Sequence, residues 1–385
     1  MIARRISLAA REGREATAGV FTVSADTVFT PEESQALATK TTKWNLNAVR
    51  LGLFALLIAE VSWRIPSVGY PAWISADRAV APAWWQITYT ALLSYFIFCW
   101  TSAFHETVHQ TLSAYNRFNK HLGRIIGTVI MIPYTAYRET HIRHHAYLNR
   151  PTDWELWPYS DPNRGRWFRR AFALFDFLFG FCGAMVIYGR IFWVRQSPIS
   201  DESRKMIRRE YMVAVAAWVA TGTALTLTNS WLHFVQVWLI PLTLAGMMQT
   251  MRKFTEHLGM ASFDPLLGTR TVRGRNWLTR ITSFLNFDIF VHGPHHRHPR
   301  VAHTALGELM DDYVEANPTT RLPVYSTYAR ATLDMLPWLI RNPGVGLNVT
   351  GTESVETAGN GVSDVSDFVQ DVSREVLGPE DIAIQ

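Results

Sequence analysis

Two apolar runs, Trp84–Phe104 and Trp231–Met251, contain no Lys, Arg, Asp or Glu. A water-soluble domain has few ways to bury runs of that length, whereas a helix of about 20 residues crosses the hydrocarbon core of a bilayer. Two weaker runs accompany them, one near Val49–Trp63 and one at Tyr211–Thr228. Together they predict an all-α, integral membrane bundle of about four transmembrane helices. Only Asn229 and Ser230 separate the last two runs, which predicts a tight helical hairpin. Fifteen Trp and 21 Phe suit this class, because amphipathic rings favour the bilayer interface.

Two other apolar stretches are less clear. Only 31 residues separate His109 from His141, and crossing and returning takes about 40 residues plus a turn. Residues 123–137 are therefore expected in the interface or buried in protein. Residues 168–194 are punctuated or flanked by Arg169, Arg170, Asp176, Arg190 and Arg195, which favours interfacial helices over a hidden pair of spans. The segment His105–Glu210 carries sixteen Lys or Arg, and Arg252 and Lys253 directly follow the fourth run. Between the first two runs the only bases are Arg64, directly at the end of the first run, and Arg78. The positive-inside rule then makes the His-rich side cytoplasmic, and four spans bring both termini to that side.

Composition divides the rest. Residues 1–46 read as an N-terminal arm, mostly mobile; Arg4 and Arg5 are not followed by a long apolar stretch, so no signal peptide is expected. Residues 47–341 form the membrane domain. Residues 342–385 read as a disordered acidic tail with Arg374 its only base. The two cysteines, Cys99 and Cys182, rule out a disulfide framework, an iron–sulfur cluster and a Cys-based zinc site. No nucleic-acid partner is expected.

Nine of the thirteen histidines fall into groups. His105-Glu-Thr-Val-His109 ends the second run, and a spacing of four puts both imidazoles on one helix face. His141-Ile-Arg-His144-His145 makes a single face by its i, i+3, i+4 pattern. His257 stands alone, six residues past the fourth run. His292-Gly-Pro-His295-His296 closes the series, with Pro294 making a regular helix uncertain. Nine imidazoles exceed the needs of one metal and suit two, although ligand type alone does not choose among Zn, Cu, Fe and Ni. His121, His233 and His303 read as ordinary polar residues; His298 and His303 could also support the last group from behind. His105–His109 also matches H-E-x-x-H, the zinc protease pattern in which Glu106 would be a general base. That rival leaves most of the clustered histidines unemployed.

The three groups HETVH, HIRHH and HGPHH, in this order and spacing, resemble the His boxes of the membrane fatty acid desaturase and hydroxylase superfamily. Asn149–Glu155 resembles the polar stretch that commonly follows the second box, and Thr255–Gly259 the segment with the extra His. The resemblance covers roughly residues 47–325. It implies a cytoplasmic, His-lined dimetal cap in which His105, His109, His141, His144, His145, His257, His292, His295 and His296 hold two iron ions. It assigns no separate acid or base. It also implies O2 as co-substrate and removal of hydrogen from an unactivated methylene. Such a bond demands a redox metal, and no dinucleotide fingerprint, Cys cluster or HPGG motif is present. A separate ferredoxin or cytochrome-type electron donor is therefore implied.

The resemblance has departures. Pro294 stands where many acyl desaturases have Glu. Lys253 stands where some members have an Asn. The Glu256-His-Leu-Gly wording is also similar to the alkane hydroxylase branch. The expectation is therefore fatty acyl desaturation of a lipid or acyl-chain substrate, with a lipid, alkane or carotenoid hydroxylase or ketolase as the alternative.

Overall fold

The computed structural model describes residues 44–64 and 84–350. The expected arm lies outside them apart from its last residues, and so does the tail from 351 onward. The chain divides into two compact units, one formed by 43–137 and 174–252, the other by 138–173 and 253 onward.

In the first unit, α1 (Trp44–Arg64) covers the first expected span with 21 residues. Its opening turn is polar but not solvated. Asn47 is fully buried and donates to the Leu112 carbonyl at 2.9 Å, and Arg50 is buried beside it. The second span is α2 (Trp84–His109), which ends on the first histidine group. α3 (Asn116–Val129) has 14 residues, about 21 Å, too short to cross. Its Gly123 and Gly127 let Tyr134 and the Ile132 carbonyl approach closely, where a Cβ would collide at 2.4 Å. Residues 123–137 thus turn back without crossing, as their length requires, with Ile126, Ile132, Tyr134 and Tyr137 buried and Ile125, Val129 and Met131 exposed. The core there is Phe104, Val108, Ile126, Ile132, Tyr134 and Tyr137.

α5 (Arg166–Leu178) and α6 (Gly180–Trp193) meet at 120°. Neither alone is long enough to cross, so the region holds no pair of separate straight spans. Gly180 sits at the bend, where a Cβ would lie 2.3 Å from the Gly246 carbonyl oxygen. α7 (Asp201–Leu227) begins ten residues before its apolar stretch. Ser200 caps it by accepting from Ser203 N at 3.1 Å, and Asp201 and Glu202 complement its dipole. Only 6% of its apolar window is buried, so Met212, Val213, Val215 and Val219 face outward. Such a face needs an apolar solvent. After Asn229, whose φ is 51°, the chain reverses. It continues through α8 (Trp231–Phe234), a π-turn at Val235–Leu239 and α9 (Ile240–His257). Among the described residues three stretches, α2, α7 and the run from α8 through α9, are long and apolar enough to cross, or four if α5 and α6 form one span; α1, at the first expected span, is not among them.

The second unit holds most of α4 (Tyr134–Ala146), α10 (Trp277–Leu285), α11 (His292–Arg297), α12 (His303–Ala316), α13 (Tyr328–Arg341) and α14 (Leu347–Thr350). A parallel pair, β1 (Thr271–Val272) and β2 (Val324–Tyr325), is a small exception to an all-α fold. Leu266, Val291, Val301, Leu306, Leu309, Met310 and Tyr313 form its apolar core. Residues 342–350, which composition assigns to the acidic tail, are packed. Arg169 donates to the Pro343 carbonyl at 2.8 Å and to Asn342 Oδ1 at 2.8 Å, and Val345 is fully buried.

Candidate metal centre

α4 carries the second histidine group. His141, His144 and His145 are all buried, so their helix turns its most polar face inward. That is costly unless something there needs the imidazoles. α9 runs unbroken past the end of the fourth apolar run at Met251 and delivers His257 at its last residue. The fold then supplies a helix where Pro294 left one uncertain. Pro294 is the third residue of α11, within the first turn, where its missing N–H costs nothing.

His144, His257, His292 and His296 each point a ligand atom at the others, all within 4.8 Å. His292 Nε2 lies 2.9 Å from His257 Nε2 and 3.1 Å from His296 Nε2. One nitrogen carries at most one proton, so neutral rings cannot satisfy all these contacts by hydrogen bonding. A shared cation can. Donors bound about 2.1 Å from one ion stand about 3.0–3.5 Å from each other. Burial first, then the neighbouring imidazoles of His145, His292, His144 and His257, hold His296 well below the ordinary histidine value. It is therefore neutral and able to donate a lone pair. His141, His145 and His295 make a second convergent group in this unit, with His141 and His145 Nε2 atoms 3.2 Å apart.

Carboxylates fix which nitrogen is free. Glu155 lies 2.7 Å from His141 Nδ1, and Asp153 2.8 Å from His144 Nδ1. Each holds a proton on Nδ1 and leaves Nε2 as the donor. Asp153 is 1% exposed and also accepts from the backbone N–H groups of Asn149, Glu155 and Leu156. Arg270, fully buried, closes the end of α9. It donates to the Thr255 and Leu258 carbonyls and pairs with Asp334 at 2.7 Å, while its own N–H reaches the Glu256 carbonyl.

In the other unit, the rings of His105 and His109 stand 4.7 Å apart at the end of α2. Glu106 is buried with both oxygens occupied: Oε1 lies 3.2 Å from His105 Nδ1, and Oε2 accepts from Thr111 Oγ1 at 2.5 Å. In this arrangement the carboxylate orients the His105 ring, with Thr111 holding its other oxygen.

The remaining histidines stand outside both groups. His121 is exposed and His233 half-buried. His298 accepts from Tyr313 OH at 2.6 Å, and burial followed by Arg297 pushes it down to about 3. His303 Nδ1 lies 3.1 Å from Asp288. Both lock the chain around the third group. Lys253 places its ammonium over the rings of Tyr159 and Phe254. Sequence reasoning gave no role to Asp153, Glu155, Glu256 or Arg270, and gave Glu106 one only as the general base of the protease reading. The available signal was an acid next to, or within about four turns of, a clustered histidine.

The family model described as fatty acid desaturase matches residues 82–328. Three curated relatives are each 24% identical. An sn-1 oleoyl-lipid 12-desaturase of Arthrospira platensis aligns over 65% of this chain and 69% of its own length. One of the same name from Anabaena variabilis aligns over 64% and 74%. An omega-3 fatty acid desaturase of Caenorhabditis elegans covers 40% of each. With a match over more than half of its length and three histidine groups inside it, the chain belongs to the fatty acid desaturase family of membrane oxidoreductases of lipid metabolism.

Proposed function

We propose that this chain introduces a C=C bond into the acyl chain of a lipid, using two iron ions, O2 and electrons from an external ferredoxin or cytochrome-type donor. The observation that carries the reading is the convergence of His144, His257, His292 and His296 on one point, with Asp153 turning the His144 lone pair towards it. His141, His145 and His295, together with His105 and His109, are the ligands proposed for the second ion.

When bound, the irons supply activation of O2 and removal of hydrogen from an unactivated methylene. The protein's own task is to hold neutral imidazoles in place. Asp153 and Glu155 keep protons on Nδ1, burial keeps His296 uncharged, and the burial of His144, His257, His292 and His296 excludes bulk water. The relatives' names, oleoyl-lipid desaturases, favour an acyl group on a membrane lipid ester. The positive-inside rule places the His groups and both termini at the cytoplasmic face.

Lipid profiling of cells with and without the gene, grown in air and without oxygen, tests this. A product lacking two hydrogens, formed only in air, is expected. A product with an added hydroxyl makes the chain a hydroxylase. One zinc per chain, with peptidase activity lost in Glu106→Gln, makes it a protease.

A further inference from the structure

We infer that Glu256 is a metal ligand, supplying a carboxylate oxygen to the ion held by His144, His257, His292 and His296. The inference rests on the reading of that set as an iron site. Glu256 is 4% exposed and occupies the last turn of α9, immediately before His257. Its Oε2 lies 3.5 Å from His292 Nε2, the nitrogen that stands 2.9 Å from His257 Nε2 and 3.1 Å from His296 Nε2. For bonds of about 2.1 Å, donors on one ion are separated by about 3.0 Å at right angles and about 3.4 Å in a tetrahedron. The oxygen therefore stands at ligand distance from His292, outside the set whose donor atoms all lie within 4.8 Å of one another, and it joins the ion by turning its carboxylate inward.

The side on which it stands separates it from the other acids. Asp153 and Glu155 meet their histidines at Nδ1, behind the ring. Glu256 meets His292 at Nε2, on the face where the lone pairs converge. The placement is also anchored, because Arg270 N donates to the Glu256 carbonyl at 2.8 Å and Arg270 holds the carbonyls on either side. The charge argument agrees. Four neutral imidazoles leave the charge of a buried cation uncompensated, and a carboxylate reduces that cost. A hard oxygen donor also favours the ferric state more than imidazole does. Glu256 raises the donor count at this ion from four to five.

The test uses the purified full-length chain loaded with Mössbauer-active iron. Iron per chain, release rate to a chelator and Mössbauer spectra are compared for wild type, Glu256→Gln, Glu256→Asp and His296→Ala. Glu256→Gln is isosteric, and size-exclusion chromatography checks that it remains folded. It should release one of two irons at least about tenfold faster than wild type, with one quadrupole doublet changed and the other kept. Glu256→Asp should fall between, and it carries the test if the Gln variant aggregates. Wild-type iron content, release rate and spectra in Glu256→Gln, with iron lost in His296→Ala, would overturn the assignment of Glu256 alone. Full iron in His296→Ala would remove iron from this set and overturn both readings.

Discussion

At the scale of single residues, the histidines were legible because helical spacing alone puts i, i+3 and i+4 on one face. Their carboxylate partners were not, because Asp153 and Glu155 reach His144 and His141 only through the folded path of residues 147–157. Asp153→Asn tests the value of that path. An amide N–H facing Nδ1 drives the proton to Nε2 and removes the lone pair from the centre. Iron affinity should fall about 10–100-fold, read by chelator competition on purified protein. His298 gives the opposite expectation. It is buried, neutral and bonded to Tyr313, so His298→Gln should retain its iron, whereas His295→Ala should lose it. Equal iron loss in both would mean that the third group extends further than HGPHH.

At the scale of elements, the helices bearing histidines are fixed at their ends. Glu210 accepts from Thr135 N at 2.8 Å, from Thr135 Oγ1 at 2.9 Å and from Arg124 Nε at 3.0 Å. A carboxylate here neutralises the first turn of α4, where N–H groups lack helical partners. Glu210→Ala should cost about 1–3 kcal/mol, seen as a lower melting temperature, and an unchanged melting point would dismiss the cap. Arg270 does the converse at the end of α9. Arg270→Leu strands the Thr255 and Leu258 carbonyls in a dry site and should cost about 2–4 kcal/mol together with iron. Asp334→Asn should cost under about 1 kcal/mol, because Asp334 has a half-exposed side chain. Helix existence could be read from apolar length, but these ends could not. Apolar periodicity marks where a helix is buried and is blind to the polar turns beyond, which is why α7 starts at Asp201 and α9 runs to His257.

At the scale of the whole molecule, the membrane class was readable because uncharged runs have so few folded solutions, and the proposed orientation rests on where bases accumulate. Cysteine labelling tests the orientation. With Cys99 and Cys182 replaced by Ala, Thr228→Cys at the α7–α8 turn should react with an impermeant reagent outside intact cells. Asn163→Cys, in the exposed loop before α5, should not. External labelling at 163 would reverse the assigned sidedness. Composition assigns residues 342–350 to the tail, whereas they are packed. A segment rich in Gly, Asn and Thr resembles disorder until Arg169 and the Gly259–Gly344 backbone bond take it up.

That late anchoring has a consequence in time. Gly259, in a left-handed conformation with φ 81° and no room for a Cβ against Trp338, follows His257 closely and accepts no other residue. Its N–H is held by the carbonyl of Gly344. During synthesis His144 emerges first, then His257, then His292 and His296, with the brace at 338–348 last. The four donors therefore come together only after His296 has emerged, and the brace at the end of α9 is made after all of them. If this set holds the proposed metal, loading cannot precede the synthesis of residue 296.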